Sequence, residues 1–386
     1  MRIVAIREKT VALSSTVRNA SIGFDGMTAS AVAIVTDVMR DGKPVVGFAF
    51  DSVGRYGHGG LLRERFIPRV LAADPEDYLG TEDGTLDPFG IWRIAMRDEK
   101  PGGHGERPGA VGLIDAAAWD LAAKLEDKPL WRVLAERFGD GVGETRVPVY
   151  ASGGHYHADD DLARLGDNVR RCVALGYRTV KIKAGGAPIS EDLRRIDTAL
   201  EALEALGGGG ALAVDLNGVM LQSSAEAFID AVADRGLAWI EEPVDPLDFE
   251  AYKALAVGSP MPLATGENIF SAADTLNLVR YAGLRPDRDL LQVDVSLSYG
   301  IVEYLRILEV IEAHGWSRRQ CLPHAGHLLA FNVAAGLKLG GHETGPLGNF
   351  PLGLEVSDGR ASPGDAPGVG FEHSASFAPL FGDLVT

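Results

Sequence analysis

The chain has 386 residues, 46% hydrophobic and 24% charged, the balance of a folded globular protein of about two domains and not of a disordered or fibrous one. Lys and Arg number 37 against 54 Asp and Glu, a formal charge of −17, and such a surface repels a phosphate backbone, so no nucleic-acid partner is expected. Cys172 and Cys321 are too few for a disulfide framework, Arg2, Arg7, Glu8 and Lys9 break up the first apolar stretch, and no 18-residue apolar run occurs, so a cytoplasmic protein with no membrane contact is expected.

Residues 1–50 read as strands: RIVAIREKTVAL, TASAVAIVTDVM and, after the turn Asp41-Gly42-Lys43, PVVGFAF, the second and third forming a hairpin. Helices are predicted over 61–74, 86–98 and 108–138, so an α+β unit fills about the first 140 residues, and GDGVGET at 139–145 marks a boundary. Beyond it, VPVYAS, TVKIK, ALAVDLN, LAWIEEP, PLATGE, LLQVDVS and QCLPHAG each precede an amphipathic stretch. The corresponding helices are predicted over 161–175, 190–206, 223–235, 248–256, 271–282, 300–314 and 328–340. Ser190, Ser223 and Ser271 read as helix N-caps, and Gly176, Gly236, Gly283 and Gly315 as helix ends. Strand–helix alternation builds a parallel sheet with helical crossovers, and about seven such units fit an α/β barrel of TIM type better than an open sheet. No helix opens directly after the glycines of GGGGALAVDLNG, which argues against a dinucleotide loop. From about residue 345 the pattern stops, and a Gly/Pro-rich tail is expected to fold back on the first unit. The predicted organisation is 1–140, 141–345 and 346–386.

Titratable residues recur at the predicted strand ends: Lys183, Asp215, Glu241, Glu267, Asp294, His324 and, after the last helix, Glu343. Their spacing is close to one strand–helix unit, which places them around the C-terminal rim, where barrel active sites are built. Asp215, Glu241 and Glu267 come from successive strands without a Cys or His among them. That donor set favours a hard divalent cation, Mg²⁺ or Mn²⁺, the alternative being salt bridges to neighbouring lysines. Glu242, one residue on from Glu241, alternates to the other face and is not expected to be a ligand. Lys181 and Lys183 are two apart and face the interior together. Beside a cation they disfavour each other's charge, which would lower at least one pKa toward neutrality and make Lys183, nearer the rim, a general base; an ion-pair role is the alternative. Asp294 on the neighbouring strand would fix the His324 tautomer and raise its pKa, giving an acid. His324 with His327 can also be read as a weak zinc pair, and Cys321 as a thiol nucleophile only if it shared a face with His324. In the first unit, Arg18-Asn19, Gly54-Arg55-Tyr56-Gly57 and Lys100-Pro101-Gly102-Gly103-His104-Gly105 suit a mobile lid over a small anionic substrate, although ordinary exposed loops read the same way. The net charge does not forbid such a substrate, since screening over about 8 Å lets a local basic cluster dominate inside a pocket.

KIK at 181–183, DLN at 215–217, EEP at 241–243, GEN at 266–268, the Asp294/His324 pair and IDAAAWDLAAKLEDKPL at 114–130 together resemble the enolase superfamily, mandelate racemase subgroup, over essentially the whole chain. Within that subgroup RNA at 18–20, GRYG at 54–57, EKPGGHGER at 99–107, LSYG at 297–300 and PHAGH at 323–327 are similar to the D-tartrate dehydratases. Val53 in place of an Asn, His155 in place of a Tyr and a shorter loop, GPLGNFPLG, after Glu343 depart from that pattern. The resemblance implies a (β/α)₇β barrel with an α+β capping domain formed by the N-terminal region and the C-terminal tail. It implies Mg²⁺, or Mn²⁺, on Asp215, Glu241 and Glu267, stabilising an enediolate, with Lys183 as base and His324, oriented by Asp294, as acid. Asn19, Lys100, Lys181, His155 and Glu343 are then the expected substrate contacts, and a homo-oligomer between dimer and octamer is expected. The activity implied is dehydration of a hydroxy-diacid or acid sugar to a 2-keto acid. The alternatives are a racemase or epimerase using Lys183 and His324 as opposed bases, and a non-catalytic binding protein of the same fold, against which the intact base, acid and metal set argues.

Overall fold

A computed structural model describes residues 1–12, 17–51, 56–80, 84–205, 209–347, 352–375 and 377–385. Val53, most of the Gly54–Gly57 motif's first half and the centre of the loop after Glu343 lie outside the described residues. The N-terminal sheet is an antiparallel meander of β1 (Ile3–Ala12), β2 (Thr28–Arg40) and β3 (Lys43–Phe50). Both faces of β3 are covered, and adjacent residues show how. Gly47 lies so close to the helix Arg107–Leu125 that a Cβ there would overlap Ala117 O. Phe48, pointing the opposite way, packs on Phe377 and Phe381 of the C-terminal tail at ring-centroid distances of 5.1 Å.

The single helix expected over 108–138 is two, Arg107–Leu125 and Leu130–Phe138. Asp127 takes a left-handed conformation (φ 55°) and Pro129 has no N–H to continue the ladder, so the chain turns between them. Before them, helical turns cover 59–71 and Pro88–Ala95, shorter than expected.

The second sheet is parallel and closed. It runs through β4 (Val147–Ser152), β5 (Thr179–Lys183), β6 (Ala211–Asp215), β7 (Ile240–Glu241), β8 (Leu263–Thr265) and β9 (Leu290–Leu291). The extended segment 321–323 bridges β9 through Leu291 and Cys321, and its Pro323 O accepts from Glu343 N at 3.5 Å. β10 (His342–Thr344) then pairs in parallel with β4. Eight staves joined by seven helical crossovers make a (β/α)₇β barrel, and the N-terminal unit caps it. The crossover helices fall within a few residues of their expected positions. Of the three expected Ser caps only Ser271 accepts a helix N–H, from Asp274 at 3.1 Å; Ser190 and Ser223 lie inside helices that begin after Pro188 and Leu221. Register matters most for the site: Lys183 pairs with Asp215 and Asp215 with Glu241, so these three residues stand at one height on adjacent strands.

The tail touches both units. The two short strands Val356–Ser357 and Arg360–Ala361 form a hairpin that extends the barrel sheet at β4, while Phe371 and Phe381 pack on Phe50 of the cap. No helix among the described residues is long and apolar enough to cross a membrane. The helices Arg107–Leu125 and Pro88–Ala95 dock the cap on the barrel: Asp115 accepts from Ile301 N and Gly112 lies against Ser296 O with no room for a Cβ, while Trp92 Nε1 of the second helix donates to Tyr299 O at 3.1 Å. Gly112→Ala is therefore expected to destabilise the protein by about 1–3 kcal/mol, the usual cost of overpacking, read as a lowered Tm. Gly60→Ala, a site with open space around it, is the control and should leave Tm unchanged or slightly raised.

Candidate active site

Three carboxylates meet at the rim. Asp215 ends β6, Glu241 ends β7 and Glu267 follows β8, and one oxygen of each lies within 4.8 Å of the others. Asp215 and Glu241 are fully buried. Such a group repels itself strongly unless positive charge stands nearby. Here β5 supplies it: Lys183 Nζ donates to Asp215 Oδ2, and Lys181 Nζ donates to Glu241 Oε1 and, at 3.2 Å, to Glu343 Oε2. His324 Nε2 lies 3.2 Å from Glu267 Oε2. The salt bridges left open as an alternative are thus present, on the same carboxylates that would ligate a cation.

The donor set fits a hard divalent ion, being oxygen throughout. Asn217 adds to it. Its backbone N and its Nδ2 donate to the two oxygens of Asp215 at 2.9 and 3.1 Å, and its buried Oδ1 has no protein partner among the described residues.

Burial opposes every charge in this cluster, and the sign of each shift tells which neighbour prevails. For Asp215, burial is outweighed by Lys183 and Lys181, and its pKa is lowered. For Glu241, burial prevails, against Lys181, and the carboxyl is raised to about 7. For Lys183, burial pulls down, but Asp215, Glu241 and Glu267 pull up further and the pKa is raised. The expectation of a lysine lowered toward neutrality concerns a different state, the cation-bound site. That expectation assumed a cation, whose binding would engage the very carboxylates that hold the ammonium charged.

His324 Nδ1 lies 3.0 Å from Asp294 Oδ2, while the other Asp294 oxygen accepts from Ser296 N and Leu297 N at 2.7 and 2.9 Å. Burial lowers the imidazole pKa, but Glu267 and Asp294 raise it to about 9, the direction expected for an acid. The zinc reading of His324 with His327 fails: His327 Nε2 donates to Phe50 O at 2.9 Å and Nδ1 accepts from Leu329 N at 3.1 Å, so both nitrogens are used. Burial pushes the Cys321 thiol up to about 12, which makes it no nucleophile.

Sequence reasoning missed the layer beneath the rim. Trp239 Nε1 and Gln292 Nε2 both donate to Glu241 Oε2, at 3.1 and 2.6 Å, and the Tyr150 hydroxyl donates to Glu343 Oε2 at 3.2 Å. The signal was available, since Trp239 and Gln292 stand two residues before Glu241 and Asp294 and so share their faces.

The expected substrate contacts divide. Lys181 and Glu343 are buried within the charged cluster. His155 is half-buried above it, edge-on to Phe24 of the cap at 5.7 Å, and burial together with the nearby Lys183 lowers its pKa to about 3, so it is neutral. Asn19 shapes its own loop: Oδ1 accepts from Ser21 N and Ile22 N at 2.8 and 2.7 Å, and the loop docks on the barrel through Tyr156 N to Arg18 O at 3.1 Å. Lys100 is exposed. The 99–107 loop is pinned, contrary to the expected mobile lid. Arg107 donates to Lys100 O, Gly102 O and Glu99, and His104 bridges the Tyr299 hydroxyl and Asp274 at 2.9 and 3.0 Å.

A family model described as enolase C-terminal domain-like matches residues 164–376. The chain is similar to L-talarate/galactarate dehydratase of Salmonella typhimurium strain LT2, 29% identical over 355 residues that cover 89% of this chain and 81% of that protein. Among solved structures it is similar to a racemase from Streptomyces coelicolor A3(2) with bound magnesium, with a TM-score of 0.77 and 25% identity over 96% of this chain and 98% of that one. It is also similar to L-talarate dehydratase from Polaromonas sp. JS666 complexed with Mg and L-glucarate, with a TM-score of 0.75 and 25% identity over 95% and 92% of the two chains.

The His324 geometry carries a direct test. In metal-free protein its imidazole is expected to titrate near pH 9, above the ordinary 6.5, and Mg²⁺ should lower that value because the cation offsets the charge of Glu267. NMR of protein carrying ¹³C-labelled histidine, assigned with His324→Asn, measures it. A metal-free value at or below 6.5 would contradict the two-carboxylate environment.

Proposed function

The chain belongs to the enolase superfamily, among its mandelate racemase-like members, and from that premise we propose that it is a magnesium-dependent dehydratase of an acid sugar or hydroxy-diacid. The observation that carries this reading is that Lys183 and His324 stand at the two ends of one carboxylate triad, Lys183 against Asp215 and His324 against Glu267. The dehydratase relatives, one of them complexed with L-glucarate, support an acid-sugar substrate; the loop likeness to D-tartrate dehydratases alone points to a hydroxy-diacid.

Asp215, Glu241 and Glu267 are the residues that would hold the metal. Bound there, Mg²⁺ supplies positive charge against the negative charge that grows on a substrate carboxylate as its α-proton leaves. Lys183 Nζ takes that proton, and Lys181, held between Glu241 and Glu343, keeps a second positive charge beside it. His324 gives its Nε2 proton to the β-hydroxyl, because hydroxide is a poor leaving group and water a good one. Asp294 fixes the ring so that Nε2 faces the site. The substrate loses one α-hydrogen and one β-hydroxyl as water, and the enol left behind tautomerises to a 2-keto acid. The buried, unpaired cysteines accord with a cytoplasmic setting. The racemase structure favours a second reading, in which Lys183 and His324 each exchange the α-proton on its own face.

A screen of acid sugars and hydroxy acids with Mg²⁺, detecting 2-keto products, is expected to find turnover that EDTA abolishes; full turnover in thoroughly metal-free protein would remove the metal assignment. Lys183→Ala should lower kcat by at least about 10²–10⁴-fold, the usual worth of a general base, while substrate still binds. Turnover in D₂O separates the two readings: the dehydratase yields a keto acid labelled at the carbon that lost hydroxyl. Recovery of only inverted, α-labelled substrate would establish the racemase instead.

A further inference from the structure

Glu242 is the charged residue of the rim for which the reaction has no use. It is 2% exposed, adjoins Glu241, and is not one of the three converging carboxylates. Its backbone is left-handed (φ 39°), a conformation that strains a residue with a side chain. A turn alone would be made there at less cost by glycine.

What Glu242 does is join the three ligand-bearing strand ends. Its N donates to Ala264 O on β8 at 2.9 Å, and its O accepts from Gly218 N at 2.8 Å. Gly218 directly follows Asn217, which is bonded to both oxygens of Asp215. Both Glu242 carboxylate oxygens accept from Asn268 Nδ2, at 3.0 and 3.1 Å, and Asn268 directly follows Glu267. Each contact thus reaches a different ligand: Glu241 through the chain itself, Asp215 through the 217–218 turn, and Glu267 through Asn268. Asn217 (φ 50°) and Gly266 (φ 132°) are left-handed as well, so each ligand has such a residue within two positions.

We propose that Glu242 is a positioning residue that sets the spacing of Asp215, Glu241 and Glu267, by tying their strand ends together behind the cation they would bind. The inference rests on the metal reading given above. Groups that orient metal ligands from behind are typically worth about 10- to 100-fold in metal affinity.

The test is calorimetric titration of the metal-free, full-length protein with Mn²⁺ alone, alongside Tm. Wild type is expected to bind one Mn²⁺, and Asp215→Asn to lose that binding. If wild type binds none, or Asp215→Asn binds as wild type does, the metal reading itself falls and this inference with it. Given wild-type binding, Glu242→Ala and Asn268→Ala should each weaken Mn²⁺ by about tenfold or more at unchanged stoichiometry. Their double variant should lose no more than either alone, because both break one unit. Glu242→Gln keeps an oxygen for Asn268 Nδ2 and should stay within a few-fold of wild type. Glu242→Gly relieves the backbone but deletes the carboxylate, and should lose as much as Glu242→Ala. Asn268→Ala, at a half-buried position, carries the same prediction if Glu242→Ala fails to fold. Wild-type affinity in folded Asn268→Ala or Glu242→Gly, losses that multiply in the double variant, or a Gln variant as weak as the Ala variant would each overturn the proposal.

Discussion

The architecture depends on one electrostatic constraint, the burial of more negative than positive charge at the mouth of the barrel. Asp215, Glu241, Glu267, Asp294 and Glu343 are five carboxylates, set against the three cations Lys181, Lys183 and His324. Five less three leaves an excess of two, the charge of a single divalent ion. The excess bears on Glu241, whose carboxyl burial raises to about 7 in spite of Lys181, with Asp215 and Glu343 pressing the same way. Glu242, outside this sum, has its carboxyl raised as well, by burial and by the neighbouring Glu267 and Asp215. Parallel register makes the arrangement possible, because Lys183, Asp215 and Glu241 stand side by side and not one above another.

A barrel rim is open, and such a cluster needs walls that exclude water. The cap provides them by being held from two directions. The Arg107–Leu125 helix meets the 294–301 segment at Gly112 and Asp115, close to Asp294, while the tail clasps the far side of β3 through Phe48 and Phe50. His327 joins the two units at the level of the acid: three residues from His324, it donates to Phe50 O at the end of β3. Arg107 and His104 tie the 99–107 loop to the same 294–301 segment, both bonding the Tyr299 hydroxyl, while two carbonyls and a carboxylate accept the rest of the guanidinium.

The barrel and its converging carboxylates were legible because two periodicities coincide in the chain. A strand–helix unit repeats at nearly constant length, and within a strand alternate residues share a face, so spacing alone puts Asp215, Glu241, Glu267 and the Lys181/Lys183 pair on one rim. What depends on tertiary contact was not legible in the same way. Ser190 and Ser223 look like caps, but Pro188 and Leu221 start their helices earlier. The EDKP stretch at 126–129 breaks a helix that the Ala- and Leu-rich sequence around it favours. The upward shift of Lys183 follows from which carboxylates surround it, and these partners are set by the fold. Gln292 and Trp239 lay within reach of the period-two argument, yet an uncharged amide and an indole do not announce a role until the oxygen they bind is seen.

On the proposed reading elimination and racemisation begin alike, with loss of the α-proton to Lys183, and they differ in what His324 is asked to do next. A two-base racemase must use the same imidazole as acid in one direction and as base in the other. The protein surrounds His324 with two carboxylates, and together they hold it cationic. When a cation takes the charge of Glu267, Asp294 still presses in the same direction, its second oxygen locked by Ser296 N and Leu297 N so that it cannot swing away. An imidazole stabilised as the acid in this way starts with a proton to deliver, whereas removing one from carbon requires that it first give that proton up. Delivery to a departing hydroxyl asks only for the proton already held, which is why the Asp294–His324 geometry weighs toward the dehydratase reading.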